Sequence, residues 1–203
     1  MNSNYEHIAS SLLMVRPAKF GFNSETFASN SFQHQESIEN SSELALSEFD
    51  KVVEQLKAKG IDVMVSHSED PLAPDCIFPN NCFSTHAQNK LIVYPMMAPN
   101  RQRERKGNMM VDLKNNFEVD EMVDLTSYEA DNLFLEGTGS IVFDHLQKIA
   151  YAVRSPRTNE TVLNKLCEKL NYTLFIYLCG CRSSTYLSYQ RSVEFGFRLC
   201  RFF

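Results

Sequence analysis

Asp75, Phe78 and Asn81 stand three apart in the run PDCIFPNN. Pro74 and Pro79 stiffen that run into a tight polar corner, where residues so spaced can converge on one pocket. Farther along come Arg101, Arg103 and Arg105, then Glu136 between Leu135 and a pair of glycines, Gly137 and Gly139. The chemistry these types suit is recognition of a small, planar, charged group. A guanidinium offers five N–H donors in a rigid fork. A protein holds one with carboxylate or amide oxygens set in a plane, against an apolar or aromatic wall. Asp75, Asn81 and Phe78 are such residues, and Glu136 is a carboxylate that neighbouring backbone can approach closely. Arg101 or Arg103 can grip a substrate carboxylate through two parallel hydrogen bonds. Each feature also has a plainer reading: turns for Asn80-Asn81, a solvated helix face for the arginines, an exposed turn for Glu136.

These residues need elements to carry them. Leu12–Arg16 reads as a strand stopped by Pro17. The loop Ala18–Asn40 is long enough to be functional, with Phe20, Asn23, Asn30 and Gln33 as residues that can face a site. Ser42 caps a helix with Leu46, Phe49, Val53 and Leu56 on one face, and Gly60 ends it. Ile61–Val65 is the next strand. Cys82–His86 and Leu91–Pro95 form a hairpin, Asn100 caps a polar helix from Arg101 to about Asn115, and Phe117–Leu125 is a strand. The order then recurs. Ser140–Asp144 and Ile149–Arg154 form a second hairpin, Thr158 caps a helix with Leu163, Leu166 and Leu170 on one face, and Thr173–Leu178 is a strand. Hairpin, helix and strand repeat at a period of roughly 55 residues, as in modular arrays. The class is α/β, with short sheets as units and helices outside.

The 203 residues suit one large domain or two small ones. At 43% hydrophobic and 22% charged, the chain can bury a core. The net charge of −5 argues against nucleic acid or an acidic membrane as partner. No apolar run approaches a membrane span. MNSNYEHIASSLLMVRP lacks the basic start and apolar block of a secretory leader. Six cysteines without framework spacing read as reduced, buried thiols, and the expected location is cytoplasmic. A Cys179-x-Cys181 pair without a second ligand pair does not make a metal site.

The stretches MVRPAKFGFNSET, PDCIFPNNCFSTH, YPMMAPNRQRER and LEGTGSIVFD resemble the guanidine-modifying, or amidinotransferase (pentein), superfamily. Within it the resemblance is greatest to the arginine deiminase-related citrulline utilisation hydrolases, with dimethylarginine dimethylaminohydrolases as broader relatives. It covers about residues 12–173. The resemblance implies a five-bladed α/β-propeller of ββαβ modules, of which this chain holds roughly three of five. It implies a hydrolase acting on the guanidine or ureido C–N bond of citrulline- or arginine-type substrates. A cysteine thiolate would attack that carbon, a histidine would move protons, and no cofactor or metal would be needed. By matching motif, Glu136 is the catalytic-site carboxylate, Asp75, Phe78 and Asn81 form the substrate-binding corner, and Arg101 is the arginine after the YPM strand. Related deiminases carry an aspartate where Asn81 stands, so the amide here suits a ureido group better than a guanidinium.

The expected organisation is thus residues 1–173 as the N-terminal part of the propeller and residues 174–203 as an aberrant aromatic, cysteine-rich tail. That tail has four Arg, one Glu and neither Lys nor Asp. It reads as out-of-frame or truncated sequence replacing the family's C-terminal part. None of His7, His34, His67, His86 or His145 stands in the family's histidine motif, and no family motif surrounds Cys179, Cys181 or Cys200. Losing a covalent nucleophile costs on the order of 10⁶ in turnover, so the chain is expected to be inactive. Its open strand edges are expected to favour oligomers or aggregates. The partner expected is a small amino-acid substrate. The rival reading is a pseudoenzyme or interaction module that holds an amino acid without turning it over.

Overall fold

The computed structural model describes residue 9, residues 11–27 and residues 40–177. Cys179, Cys181, Cys200 and the rest of the tail beyond residue 177 lie outside the described residues, as do Asn30 and Gln33.

Three small sheets carry the chain, each built on one plan. In the second, β3 (Phe83–His86) pairs antiparallel with β4 (Lys90–Val93), and β4 pairs parallel with β5 (Glu121–Asp124). In the third, β6 (Ile141–Asp144) pairs antiparallel with β7 (Ile149–Val153), and β7 pairs parallel with β8 (Thr173–Tyr177). The first holds only the parallel pair, β1 (Ser11–Arg16) with β2 (Asp62–His67), joined through helix α1 (Ser41–Ala58). The recurrence of hairpin, helix and strand is therefore present in the hydrogen bonding. A parallel pair needs a crossover, and here each crossover contains a helix.

Local chemistry explains the element ends, and in three places overrules the sequence reading. Helix α1 opens at Asn40 in the left-handed region (φ 61°) with no side-chain cap. Ser42, expected as that cap, instead accepts from the Phe20 amide at 3.1 Å and ties the preceding loop down. The same helix ends as predicted. Gly60 takes φ 79°, its amide bonds Lys57 O, and the Ile61 amide bonds Leu56 O, closing the last carbonyls with a left-handed glycine. The polar helix expected over 101–115 is broken. Helix α2 (Pro99–Arg103) runs into a 3₁₀ turn (Glu104–Lys106), and α3 (Asn108–Asn116) starts afresh after Gly107. Helix α5 (Glu160–Leu170) is capped one residue later than expected. Asn159, not Thr158, accepts from the amides of Thr161 at 2.9 Å and Val162 at 3.3 Å.

Two apolar clusters join the sheets. One packs Val15 of β1 with Leu91 and Val93 of β4 and Leu113 of α3. The other packs Ile92 and Val123 of the second sheet with Ile141, Ala150 and Leu166 of the third unit. Strand β4 is buried on both faces, which is why its run Leu91–Val93 is continuously apolar rather than alternating. Leu163, Leu166 and Leu170 of α5 are buried together, as their spacing predicts. Among the described residues, no helix is long and apolar enough to cross a membrane.

Candidate functional site

The second and third hairpins are each preceded by a short turn, and those two turns dock on one another. The first is the 3₁₀ turn Pro79–Asn81, and the second is the short helix α4 (Gly137–Ser140). Contact is close at Gly137. A Cβ there would strike the carbonyl oxygen of Asn80 and come within 3.1 Å of that of Asn81. Only glycine lets the backbones meet, which gives the LEGTG run a steric reason. The Thr138 hydroxyl then bridges the asparagines, accepting from Asn80 Nδ2 and donating to Asn81 Oδ1 at 3.0 Å.

This docking brings Asn81 and Glu136 into one place. A Cβ built on Gly139 would lie 3.6 Å from Asn81 Nδ2, from the Glu136 Cβ and from Arg157 Nη1. Glu136 is only 2% exposed, so the reading as an exposed turn residue does not hold. Its Oε1 accepts from the Met97 amide at 3.1 Å, and its Oε2 faces Arg157 Nη1 at 3.3 Å. Its own amide donates to Ser140 Oγ and to the Arg157 carbonyl. The carboxylate is thus fixed from two segments, and the backbone behind it by Ser140 and the Arg157 carbonyl.

Asp75 is buried at the opposite end of the corner. Its Oδ2 accepts from Asn23 Nδ2 at 2.6 Å and from Thr26 Oγ1 at 3.2 Å. Asn23 is in turn bonded by Asn100 Nδ2 at 2.6 Å. Asn23, one of the loop residues expected to face a site, is buried against Asp75 and Asn100. On the outer side of these amides lies an open cleft of about 470 Å³, lined by Lys19, Phe22, Asn23, Glu25, Asn100 and Arg103 among others. Phe78 is 48% exposed and can offer a ring face.

The arginines separate. Arg103 is exposed and paired with Asp70 at 2.7 Å, the solvated-face reading. Arg105 pairs with Glu129 at 2.7 Å. Arg101 is 4% exposed. Its guanidinium pairs with Glu104 and donates to the Phe78 carbonyl at 3.0 Å, so it lies behind the corner rather than in front of it. Two residues escaped the sequence reading. Glu104 was signalled only by its i,i+3 spacing from Arg101. Arg157 carried no local signal, because its place depends on the Ser155–Asn159 turn folding back onto Glu136.

The described sulfurs are poorly set for nucleophilic chemistry. Cys76, Cys82 and Cys167 are all buried. Burial pushes their thiols up to about 11, about 12 and about 11 respectively, and the thiol, not the thiolate, is then the form at neutral pH. His86 ends β3, whereas Asn81 precedes it. His86 contacts Ser84 Oγ at 2.7 Å and the rings of Phe143 and His145.

Known proteins share this fold. The family model described as "N,N dimethylarginine dimethylhydrolase, eukaryotic" matches residues 16–186. No curated protein is a match for the chain. The N-terminal domain of ArgZ, an arginine dihydrolase from the ornithine–ammonia cycle in cyanobacteria, solved with substrate, is similar at a TM-score of 0.61 and 18% identity. The match covers 82% of this chain and 56% of that one. DDAH from Pseudomonas aeruginosa, solved with citrulline, is similar at 0.58 and 14% identity, over 84% of this chain and 61% of that one. This chain therefore spans less than two thirds of the length of either. At such identities the likeness shows a shared α/β fold of small sheets. With the family model covering most of the sequence, the chain belongs to the N,N-dimethylarginine dimethylhydrolase family, within the guanidine-modifying (pentein) superfamily.

Proposed function

We propose that this chain carries the substrate-holding part of a hydrolase site for the guanidine or ureido group of arginine- or citrulline-type amino acids. The observation behind this is that Asn81 Nδ2, Arg157 Nη1 and the Glu136 Cβ come together around Gly139. A flat group there would meet the amide of Asn81 and would reach Glu136 Oε2 by taking the place of Arg157 Nη1, with Asp75 held by Asn23 and Thr26 at the other end of the corner. Glu136 is the catalytic-site carboxylate in this reading. Asp75, Phe78 and Asn81 form the binding corner, and Arg101 backs it.

The reaction would proceed through sulfur. A thiolate adds to the central carbon, the C–N bond breaks, and the amine departs with a proton from a general acid. Water then adds to that carbon, a thiouronium from a guanidine or a thiocarbamate from a ureido group, and the C–S bond breaks as the sulfur takes up a proton and returns to the thiol. None of the described cysteines fits that role, each being buried and held protonated. No described cysteine supplies that sulfur and no family motif surrounds Cys179, Cys181 or Cys200, so binding without turnover is the outcome proposed for the 203-residue chain. Completion of the five-module propeller, and with it the reacting sulfur, would have to come from sequence outside the described residues. Titration calorimetry with citrulline and with arginine, beside an ammonia-release assay, tests this. Binding without ammonia is expected. Absence of binding to either amino acid removes the proposed site, and turnover removes the claim of inactivity.

A further inference from the structure

We infer that Glu104 is a positioning residue of this site: it clamps the Arg101 guanidinium against the Phe78 carbonyl and thereby sets the 75–81 corner. The inference rests on the function proposed above.

The geometry is specific. Glu104 Oε1 lies 2.7 Å from Arg101 Nε, and Glu104 Oε2 accepts from Arg101 Nη2 at 3.1 Å. The same Nη2 reaches the Phe78 carbonyl at 3.0 Å. The Nε–Oε1 contact is short but poorly aligned as a hydrogen bond, so the pair is held by charge more than by direction. Both side chains are out of solvent. An arginine used in this way cannot also present its Nε–Nη2 edge to a substrate carboxylate. Its task is to fix the backbone between Asp75 and Asn81.

The clamp has an electrical weakness. Glu104 faces Arg101, but also the carboxylates of Asp75 and Glu136, and the thiols of Cys76 and Cys82 lie within its field. Burial pushes Glu104 up to about 7 against the pull of Arg101, and Asp75 and Glu136 add to the rise. A proton taken up there removes the charge that holds Arg101. The clamp on Arg101 is then charged on the alkaline side of neutrality and uncharged on the acid side, although the fold as a whole is the more stable with the proton on.

The test uses the full 203-residue chain and Glu104→Gln. Calorimetry with citrulline at about pH 6 and about pH 8 should show wild-type affinity about tenfold weaker at the lower pH, a single-protonation effect. Glu104→Gln should bind at both pH values as weakly as wild type does at the lower one, giving a flat profile. A merely structural glutamate would weaken binding without flattening it, and a variant that keeps the wild-type pH dependence overturns the inference. The second measurement needs neither ligand nor variant. The Arg101 Nε resonance of the wild-type chain should move with a midpoint near neutrality. A resonance that stays still across that range overturns the inference even if citrulline fails to bind, an outcome that would count separately against the proposed site.

Discussion

In the proposed site, Asn81 is the residue on which substrate choice would turn. Its Oδ1 is taken by the Thr138 hydroxyl, and its Nδ2 lies on the side of Glu136 and Arg157. An N–H directed there complements a ureido oxygen and opposes a guanidinium, which has only donors. Asn81→Asp replaces that donor by a charged acceptor, and hydrogen bonds to charged groups are worth about 1.5–3 kcal/mol. The variant should shift the ratio of arginine to citrulline affinity by about tenfold or more toward arginine, read by competitive calorimetry; an unchanged ratio refutes the assignment. The cysteines give a second check. With the protein folded at neutral pH, iodoacetamide followed by peptide mass spectrometry should leave Cys76, Cys82 and Cys167 unmodified, and rapid labelling of any of them would contradict their burial. Asn81, Asp75 and Glu136 were legible in the sequence because each sits in a short run with proline or glycine beside it. Glu104 and Arg157 were not, because their partners are set by tertiary packing rather than by neighbours in the chain.

Among the elements, the two pre-hairpin turns matter most, because the proposed site depends on their contact. Gly137→Ala would drive a methyl into the backbone of Asn80-Asn81. Overpacking of this kind costs about 1–3 kcal/mol, and here it should also reduce ligand affinity by separating Asn81 from Glu136. Urea unfolding and calorimetry on one sample read both, and an alanine tolerated on both counts would show that the turns do not touch. Helix α5 offers a cleaner test of local chemistry. Asn159→Ala should lose about 1 kcal/mol of stability through its missing cap, measured as a shift in the urea midpoint. The helix itself was legible from its leucine spacing, but its cap was misplaced by one residue. Thr158 and Asn159 are both good caps, and Thr158 is instead drawn into a bridge with Leu135. The polar helix after Asn100 was read as continuous because no proline interrupts it; Gly107 and the buried Arg101–Glu104 pair break it instead.

At the scale of the whole molecule, the plan is one module repeated. The recurrence was legible because each hairpin, helix and strand keeps its own periodicity. The docking of successive modules was not, since it depends on backbone contacts between turns. Within the described residues β1 lacks the antiparallel neighbour that β4 and β7 have, which leaves an edge able to accept a strand. Between the second and third sheets sits His86, whose imidazole burial holds at about 4, below its ordinary 6.5, with His145 and Lys148 adding to the depression. The unfolded chain then binds a proton that the folded chain does not, so this group's contribution to stability is lost as pH falls from 6.5 toward 4. Glu104, raised to about 7 from 4.5, acts with the opposite sign, its contribution falling as pH rises through that range. Urea midpoints at about pH 5 and about pH 7 should therefore differ between wild type and His86→Leu, with the variant relatively more stable at the lower pH by about 1–2 kcal/mol. Equal pH responses would contradict the burial of His86.

The central claim is that Asn81 and Glu136, from successive modules, act on one bound group. A double-mutant cycle tests it most directly: citrulline affinity by calorimetry for wild type, Asn81→Ala, Glu136→Gln and the double variant. Residues sharing a ligand group should couple by about 1 kcal/mol or more, the second substitution costing little once the first is made. Strictly additive losses would mean that the two residues do not meet on a common ligand.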